Sequence, residues 1–407
     1  MRFVTAALAT IITAVLLSSP ANATGAAPIP ENDPFFEPPA DVAQLEPGDI
    51  VRVRTVQVKA FELPIPVDAW QILYRTSDRR DRPTVTATTL IVPRAAWRGS
   101  GPRPVVSYQT AEDGVSTRCA PSYALTAGLR GGYTGSYSEG PVVIAAVMQG
   151  WAVSVPDYEG MESQFLVADV AGKAILDGLR AVRDFTEIDL SDSPAAIWGY
   201  SGGAFATAAA AQMQESYAPE LNIVAVSLGG LLGDVRATID AFDGSVAGSA
   251  VPMGMHGIDR AYPELQIRER LNPLGQRLFE QTADLCLFEA VVVRPFLTVA
   301  QIEAEPGMLD RPEVAAVLQE NSPMMRAGTP MAPVYEYHAL FDEFAPIEPA
   351  QRVLRNYCDA GVDVQHQTTL LGEHLTEIVL GIPGALNFLN QRFADKPAKN
   401  TCARVPR

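Results

Sequence analysis

The sequence is poor in basic residues, in cysteine and in histidine, and these shortages exclude several classes of function. Its 407 residues contain 31 Lys and Arg against 47 Asp and Glu, and the formal net charge of −16 opposes binding to the phosphates of nucleic acid. The four cysteines lie too far apart for a zinc site, and no His-Glu-x-x-His motif is present. A phosphate loop ending in Gly-Lys-Ser/Thr and a Gly-x-Gly-x-x-Gly motif after a strand are also missing. We therefore expect neither a metal nor a cofactor.

Charged residues are scarce overall, whereas apolar residues are plentiful. The charged fraction is 19% and the apolar fraction is 47%. These values are typical of a folded chain with a large core and exclude an intrinsically disordered one. A chain of this length predicts one large domain with an inserted module, or two domains.

Residues 1–23 differ in composition from the rest of the chain. Arg2 provides a positive start, residues 4–17 are almost wholly apolar, and Ala21-Asn22-Ala23 forms a small-x-small cleavage pattern. We interpret the segment as an export signal and not as a membrane anchor, because its apolar run is shorter than the roughly 20 residues that span a bilayer. No later run is long and apolar enough to span, so the sequence predicts a secreted, extracellular protein without a transmembrane anchor after signal cleavage. It does not indicate an oligomeric state.

An extracellular compartment favours disulfides between the four cysteines, Cys119, Cys286, Cys358 and Cys402. Three pairings are possible. Proximity along the chain favours Cys358 with Cys402, whose loop of about 45 residues contributes roughly 4 kcal/mol in the chain-entropy model.

Hydrophobic patterning after the signal predicts an α/β protein. Prolines recur over residues 24–50, which favours an extended arm lying over the domain. The alternating residues 51–54 and the run 85–92 predict antiparallel strands with one solvent-facing side. Continuous apolar runs at 104–108 and 152–156 are typical of strands buried on both faces of a parallel sheet.

Further along the chain, strands and helices alternate, as in a mostly parallel sheet flanked by helices. Apolar spacing and alanine content predict helices over 167–185, 204–213 and 382–392. Short β-rich runs predict strands over 195–198, 221–227, 334–339 and 363–371. The residues between the second and third of these strands contain helical fragments and scattered Gly and Pro, and we interpret them as a cap inserted over the sheet. The expected division is a signal peptide at 1–23, an arm at 24–50, a core at 51–230 and 329–407, and the cap at 231–328.

Residues 199–203, Gly-Tyr-Ser-Gly-Gly, match the G-x-S-x-G motif centred on Ser201. In this motif a strand turns sharply into a helix, and the turn exposes the serine hydroxyl above a sheet. The predicted strand before the motif and the alanine-rich helix after it provide that context. The alternative interpretation is a glycine-rich turn with a solvated serine.

A nucleophilic serine needs a nearby base, and His374 is the candidate. It lies on a loop just past the strand that ends near residue 371. His338 lies inside an apolar strand and is interpreted as a core residue or a supporting neighbour of the site. His366 is in the middle of a strand among polar residues, and His256 belongs to the insertion.

The acid of such a site is expected between the serine and the histidine in the chain, near a strand end. Asp342 satisfies this requirement because it comes soon after the strand-like run 335–340, and Glu343 is its nearest rival. The oxyanion donors are expected at the backbone amide of Gly202 and in the loop 109–114. Asp113 in that loop either orients it or is an ordinary turn residue.

With these residues in place, the sequence resembles the secretory lipase family of the α/β-hydrolase superfamily, the group of fungal lipase A of the Candida antarctica type. The resemblance covers nearly the whole mature length. It rests on Asp33-Pro34-Phe35-Phe36, Pro47-Gly48-Asp49-Ile50, Cys119-Ala120-Pro121-Ser122-Tyr123, Val155-Pro156-Asp157-Tyr158-Glu159-Gly160, residues 199–204, Tyr217-Ala218-Pro219-Glu220-Leu221-Asn222, Asp342-Glu343 and Glu373-His374. One departure is Gly229-Gly230-Leu231-Leu232, where family members often have Gly-Gly-Thr-Pro.

The resemblance implies an α/β-hydrolase fold with a helical cap over the active site, and activity on acylglycerols. The family's nucleophile falls on Ser201, its acid on Asp342 and its base on His374, while its oxyanion-hole residues fall on Asp113 and Gly202. The disulfides that the resemblance implies are Cys119 with Cys286 and Cys358 with Cys402.

The sequence hypothesis is therefore a secreted serine lipase or esterase that hydrolyses the carboxylic ester bonds of acylglycerols through an acyl-enzyme, possessing no cofactor. The alternatives within enzymes are a short-chain carboxylesterase and an acyltransferase. The alternative outside enzymes is a binding module on an inactive hydrolase fold.

Overall fold

A computed structural model describes residues 28–60, 63–64 and 66–406, and its centre is a nine-stranded sheet. In chain order the strands are β1 (Ile50–Thr55), β2 (Val67–Ser77), β3 (Pro83–Pro93), β4 (Val105–Gln109), β5 (Ala152–Pro156), β6 (Ala195–Tyr200), β7 (Ile223–Gly229), β8 (Val334–Ala339) and β9 (Val364–Thr369). Across the sheet they follow the order β1-β2-β3-β5-β4-β6-β7-β8-β9. A separate hairpin pairs Lys59–Ala60 with Leu63–Pro64.

The sheet is mostly parallel. The pairs β1–β2, β2–β3 and β3–β5 are antiparallel. The strands from β5 across to β9 all run in one direction. The carboxyl ends of these parallel strands therefore meet at one edge, which is where open α/β sheets bind ligands.

Helices cover both faces of the sheet. They are α1 (Pro121–Ala127), α2 (Gly135–Ser138), α3 (Gly140–Met148), α4 (Ala168–Arg183), α5 (Gly202–Tyr217), α6 (Val235–Phe242), α7 (Ala250–Ala261), α8 (Pro273–Gln281), α9 (Leu287–Ala290), α10 (Val299–Ile302), α11 (Pro312–Asn321), α12 (Ile347–Asp359), α13 (His374–Leu380) and α14 (Ile382–Phe393). Side chains of β6 alternate between two apolar clusters. Ile197 packs with α4, α5 and α12, whereas Ala196 and Trp198 pack with α3 and α14.

The chain between β7 and β8 forms helices α6 to α11. These helices enclose their own apolar cluster, which contains Val251, Ile258 and Leu278. The same cluster includes Phe205 and Ala209 of α5, so the inserted helices pack directly on the helix that follows the serine motif.

Two local expectations differ from the structure. The arm is not extended throughout, because residues 28–50 contain 3₁₀ turns at Pro30–Asn32, Pro34–Phe36 and Val42–Gln44. The first two of these turns begin with proline, whose φ suits a 3₁₀ turn as well as an extended chain. The strand over 85–92 has no solvent-facing side, because every residue in this range is buried.

The structure contains two disulfides, Cys119–Cys286 and Cys358–Cys402, which pair the cysteines as the resemblance implies. Among the described residues no helix is long and apolar enough to cross a bilayer. The predicted signal peptide, residues 1–23, and the start of the arm at 24–27 lie outside the described residues.

Candidate active site

Ser201 lies at the sharp turn between β6 and α5. Its backbone has φ 55° and ψ −122°, a conformation that non-glycine residues rarely adopt. The turn also needs neighbours without side chains. A β-carbon on Gly203 would lie 2.0 Å from the carbonyl oxygen of Gln109, and one on Gly199 would lie 2.2 Å from that of Gly203. The G-x-S-x-G spacing is therefore a packing requirement of this strand-to-helix turn.

The serine, histidine and aspartate predicted from the sequence lie in contact. Ser201 Oγ is 2.7 Å from His374 Nε2. On the other side of the ring, His374 Nδ1 is 2.8 Å from Asp342 Oδ1 and 2.7 Å from Asp342 Oδ2. Serine, imidazole and carboxylate thus form one hydrogen-bonded row, although up to 173 residues separate them in the chain.

The carboxylate of Asp342 is held in place by the turn that follows β8. Its Oδ1 accepts backbone N–H bonds from Phe344 and Ala345, at 3.0 and 2.7 Å. Burial alone would raise the pKa of Asp342, but the hydrogen bond and the electrostatic effect of His374 hold it below its ordinary value. Glu343, the rival candidate, instead accepts the backbone N–H of His374 at 3.2 Å.

His374 begins α13 and does not lie in a loop, which differs from the sequence expectation. Glu373 is the N-cap, and its side chain accepts the backbone N–H groups of Leu375 and Thr376. Tyr200 donates its hydroxyl to the carbonyl oxygen of His374 at 2.6 Å. The imidazole also meets the edge of the Phe344 ring, with centroids 5.5 Å apart. The ring is therefore fixed from several sides.

Asp113 and Gly202, the predicted oxyanion donors, are neighbours. A β-carbon on Gly202 would lie 1.8 Å from Asp113 Oδ1, so only glycine fits beside this carboxyl group. Asp113 has φ 36°, and its carbonyl oxygen accepts the backbone N–H of Leu287 at 2.9 Å. Gly202 is the first residue of α5, where backbone N–H groups have no acceptor inside the helix and the dipole favours negative charge.

Buried carboxyl groups surround this loop. Burial raises the pKa of Asp113 to about 7, although the electrostatic effect of the nearby His374 opposes that shift. Burial also raises the pKa of Glu139 to about 8, despite hydrogen bonds from Tyr108 and from the backbone of Ala111. The pKa of Glu112 is raised as well, first by burial and then by the charge of a neighbouring carboxyl group. The ionised form of a carboxyl group is therefore destabilised in the region beside Ser201.

Sequence reasoning missed Glu139 and Tyr200 as parts of this site. Glu139 lines the cavity above Ser201, and Tyr200 anchors His374. Tyr200 immediately precedes Ser201 in the serine motif, and this position could have indicated a role for it in the site. Glu139 has no comparable signal, because the groups that bind it lie 28 and 31 residues away in the chain.

His338 lies in β8 and is fully buried. Its Nδ1 is 2.8 Å from Glu336 Oε1, and its Nε2 is 2.8 Å from the carbonyl oxygen of Ala345. Burial would lower the pKa of His338, but the hydrogen bond and charge of Glu336 raise it to about 9. Burial alone would raise the pKa of Glu336, but its contacts with His338 and His366 lower it to about 2. The His338 ring is also 3.6 Å from Asp342, which makes it the supporting neighbour that the sequence suggests.

An apolar cavity of about 250 Å³ leads away from Ser201 beneath the inserted helices. Its walls come from both parts of the chain, with Leu232, Phe242 and Met255 on the inserted side and Leu375 on the sheet side. Among the described residues no cluster of His, Cys, Asp and Glu could hold a metal ion. The arrangement can position an apolar chain so that its polar end meets the serine hydroxyl.

The strand order, the strained serine turn after β6 and the helices inserted between β7 and β8 define an α/β-hydrolase. The chain belongs to the secretory lipase family, whose model matches residues 136–401. This membership supports a lipase or esterase.

Individual relatives cover most of the chain. Lipase 6 of Candida albicans is 32% identical over 93% of this chain and 84% of its own length. A probable inactive lipase of Mycobacterium tuberculosis is 34% identical over 91% of this chain and 83% of its own. The crystal structure of Candida antarctica lipase A, at 30% identity, superposes with a TM-score of 0.84 and covers 93% of this chain and 89% of that one.

Proposed function

We propose that this protein is a secreted serine lipase that hydrolyses acylglycerol esters, with Ser201, His374 and Asp342 as its catalytic residues. The observation that carries the proposal is the unbroken row of hydrogen bonds from the serine hydroxyl through the imidazole to the buried carboxylate. A serine hydroxyl is a weak nucleophile by itself and becomes effective when an oriented base takes its proton.

In the proposed mechanism Ser201 Oγ attacks the ester carbonyl while His374 Nε2 takes the hydroxyl proton. Asp342 holds the other ring nitrogen and stabilises the imidazolium that forms. The backbone N–H groups of Gly202 and Asp113 donate to the oxyanion, and removal of one such donor typically costs a factor of about 100 to 1,000 in kcat. The intermediate collapses when His374 returns the proton to the departing alcohol. Water then attacks the acyl-enzyme by the same route, releasing the acid and restoring Ser201.

The substrate class is proposed from the cavity and the family. An apolar wall suits an acyl chain, since each buried CH₂ contributes about 0.8 kcal/mol. Family membership and the lipase relatives support an ester of this type. Two disulfides and the signal-like segment 1–23 support export, because disulfides persist in oxidising compartments.

Replacement of Ser201 by Ala tests the catalytic assignment. We expect Ser201→Ala to abolish hydrolysis of p-nitrophenyl esters and covalent labelling by a fluorophosphonate, while the circular dichroism spectrum stays unchanged. Ser138→Ala is the matched control, because Ser138 lines the same cavity and donates its hydroxyl only to the carbonyl of Gly135 in its own helix. Ester turnover that survives in Ser201→Ala at more than a trace level would contradict the assignment.

A graded series of p-nitrophenyl esters tests the substrate class. A lipase is expected to gain kcat/KM as the acyl chain grows from two to about ten carbons, because each added CH₂ enters the apolar cavity. A steep preference for acetate would favour the short-chain carboxylesterase. Failure of the fluorophosphonate to label the wild-type protein would favour a binding module on an inactive hydrolase fold. The Mycobacterium relative is named a probable inactive lipase.

A further inference from the structure

A second row of buried polar side chains lies directly behind the row that contains Ser201. The ring of His338 stands between two carboxyl groups, with Nδ1 2.8 Å from Glu336 Oε1 and Nε2 3.6 Å from Asp342 Oδ2. All three of these side chains are fully buried. The same oxygen of Asp342 is 2.7 Å from His374 Nδ1. The carboxyl group of Asp342 therefore faces one imidazole on the side of the serine and another on the side away from it.

Glu336 is the residue that holds His338 from behind. Its other oxygen, Oε2, is 2.5 Å from His366 Nδ1, and His366 Nε2 is 3.0 Å from the hydroxyl of Thr368. Against the effect of burial, the contacts with the two histidines lower the pKa of Glu336 to about 2. Glu336 is therefore a carboxylate, and each of its oxygens accepts from one imidazole.

The partners of the His338 ring determine where its protons lie. Nε2 is 2.8 Å from the carbonyl oxygen of Ala345, which can only accept a hydrogen bond, so Nε2 carries a proton. Nδ1 faces the Glu336 carboxylate, which is also only an acceptor. A neutral imidazole has a single N–H, so a ring that donates from both nitrogens is an imidazolium. A positive charge thus lies behind Asp342.

His338 also fixes the turn that holds Asp342. The carbonyl of Ala345 accepts from the His338 ring, and the N–H of the same residue donates to Asp342 Oδ1 at 2.7 Å. Phe344 donates a second N–H to that oxygen at 3.0 Å, and its ring meets the imidazole of His374. A shift of His338 would therefore move the carboxylate relative to its imidazole partner.

Three parts of the chain bring titratable groups to His338. They are β8 with the turn after it, β9 and α13, and the groups are Glu336, Asp342, His366, Glu377 and His374. Glu377 accepts the hydroxyl of Thr369 at 2.9 Å, and burial raises its pKa, so its ionised form is disfavoured. The charge of His338 is therefore balanced by Glu336 on one side and lies against Asp342 on the other.

We propose that His338 is a positioning residue for the row formed by Ser201, His374 and Asp342. It acts by holding the turn 342–345 and by placing a positive charge behind the carboxylate. That charge opposes the binding of a further proton to the row, so the base stays free to accept the serine proton at a lower pH than it otherwise would. The inference rests on the proposed function, because the effect is visible only in ester cleavage.

His338→Gln tests the proposal, because a glutamine amide can still donate to the Ala345 carbonyl but carries no charge. The measurement is kcat/KM on a dissolved p-nitrophenyl ester across the acid limb of the pH profile. We expect the midpoint of that limb to move upward by at least about 0.5 pH unit, which is about a threefold loss of kcat/KM below both midpoints. A purely structural role would lower kcat/KM at every pH and leave the midpoint in place.

His256→Gln is the matched control. His256 is also a buried histidine whose Nε2 contacts a backbone carbonyl, that of Phe279 at 2.5 Å. It lies in α7 among the inserted helices, where its ring stacks on Phe279. We expect its replacement to leave the midpoint of the acid limb unchanged.

Nitrogen-15 NMR of the wild-type protein with labelled histidine provides a second measurement that needs no variant. At pH 7 we expect both ring nitrogens of His338 to be protonated. If His338→Gln does not fold, as judged by circular dichroism, this spectrum decides the question by itself.

Three results would overturn the proposal. They are an unmoved midpoint in a folded His338→Gln protein, an equal displacement in His256→Gln, and a neutral His338 ring at pH 7. Failure of the proposed function would appear separately, as ester cleavage that survives Ser201→Ala.

Discussion

Asp113 occupies an unusual position for a carboxylic acid. It adjoins Gly202 at the place where the proposed mechanism develops negative charge on oxygen, and Oδ1 is buried without a hydrogen-bond partner. A carboxylate there would oppose the oxyanion, since two unit charges about 4 Å apart interact by roughly 4 kcal/mol at an effective dielectric of 20. Burial raises the pKa of Asp113 to about 7, so the group is mainly neutral in mildly acidic solution.

A pH dependence follows from that pKa. As the pH rises through about 7, Asp113 loses its proton, and we expect kcat/KM to fall at least tenfold, about 1.4 kcal/mol of transition-state stabilisation. Asp113→Asn should flatten this alkaline decline, because asparagine cannot ionise and tolerates positive φ. Initial rates on a dissolved p-nitrophenyl ester from pH 5 to 9 provide the measurement. An Asn variant with the same decline would assign the titration to another group.

The residues of the candidate site differ in how far sequence could identify them. Ser201 stands in a motif whose spacing has a steric cause, so it could be predicted from the letters alone. Asp342 and Glu343 are adjacent carboxylates after the same strand, and only the folded turn makes one face the imidazole and the other the backbone N–H of His374. Chain order could not distinguish them.

At the scale of elements, the loop that carries Asp113 is fastened to the inserted helices. Gly114 forms a β-bridge with Cys286, and Val115 donates its N–H to the carbonyl of Leu285 at 3.0 Å. The disulfide Cys119–Cys286 closes the same junction. The other disulfide, Cys358–Cys402, joins the end of α12 to the C-terminal segment, near the β9 end opposite His374.

The two disulfides should therefore differ in effect. Cys119→Ala/Cys286→Ala is expected to lower kcat about tenfold or more, because it loosens the Asp113 loop, and to lower the unfolding temperature as well. Cys358→Ala/Cys402→Ala should lower only the unfolding temperature, since its loop contributes about 4 kcal/mol by chain entropy without contacting the site. Steady-state kinetics and thermal melts of both variants make the comparison. Equal kcat values in the two variants would contradict it.

Element prediction succeeded where burial follows a simple pattern. The run 334–339 predicts a strand with the bounds that the structure has for β8. β2 was not predicted, because polar residues interrupt its apolar pattern. Those residues are buried with partners from distant segments, as when Gln71 donates to the Ser122 carbonyl and Thr76 donates to Asp177. A partner that is remote in the chain leaves no local signal.

At the scale of the whole molecule, several groups bind protons more tightly in the folded state than in the unfolded state. Burial raises the pKa of Asp157 to about 7 and that of Glu139 to about 8. The Glu336 contact, acting against burial, raises the pKa of His338 to about 9. The stability that the two acids contribute to the folded state is complete at pH values below their unfolded-state pKa, near 4. The stability that His338 contributes is complete below its unfolded-state pKa of about 6.5. All are lost as the pH rises through the folded values.

The free energy of unfolding should therefore decrease between pH 5 and pH 9. We expect the unfolding temperature to fall by several degrees over this range, at about 2–4 °C or less per kcal/mol for a chain of this size. Glu139→Gln should reduce the slope, and the exposed Glu348→Gln should not. Calorimetry at matched ionic strength measures the unfolding temperature of each variant across this pH range. An unfolding temperature that rises over the same interval would show that other groups dominate the linkage.

The position of helices α6 to α11 between β7 and β8 also fixes the order in which the residues of the candidate site are synthesised. The hydroxyl of Ser201 leaves the ribosome more than a hundred residues before the carboxylate and imidazole that would activate it. In the proposed mechanism a nascent chain that stops short of β8 and β9 holds a nucleophile with no base. In that mechanism ester cleavage begins only after the last two strands have joined the sheet, so an incomplete chain would leave the esters inside the producing cell intact.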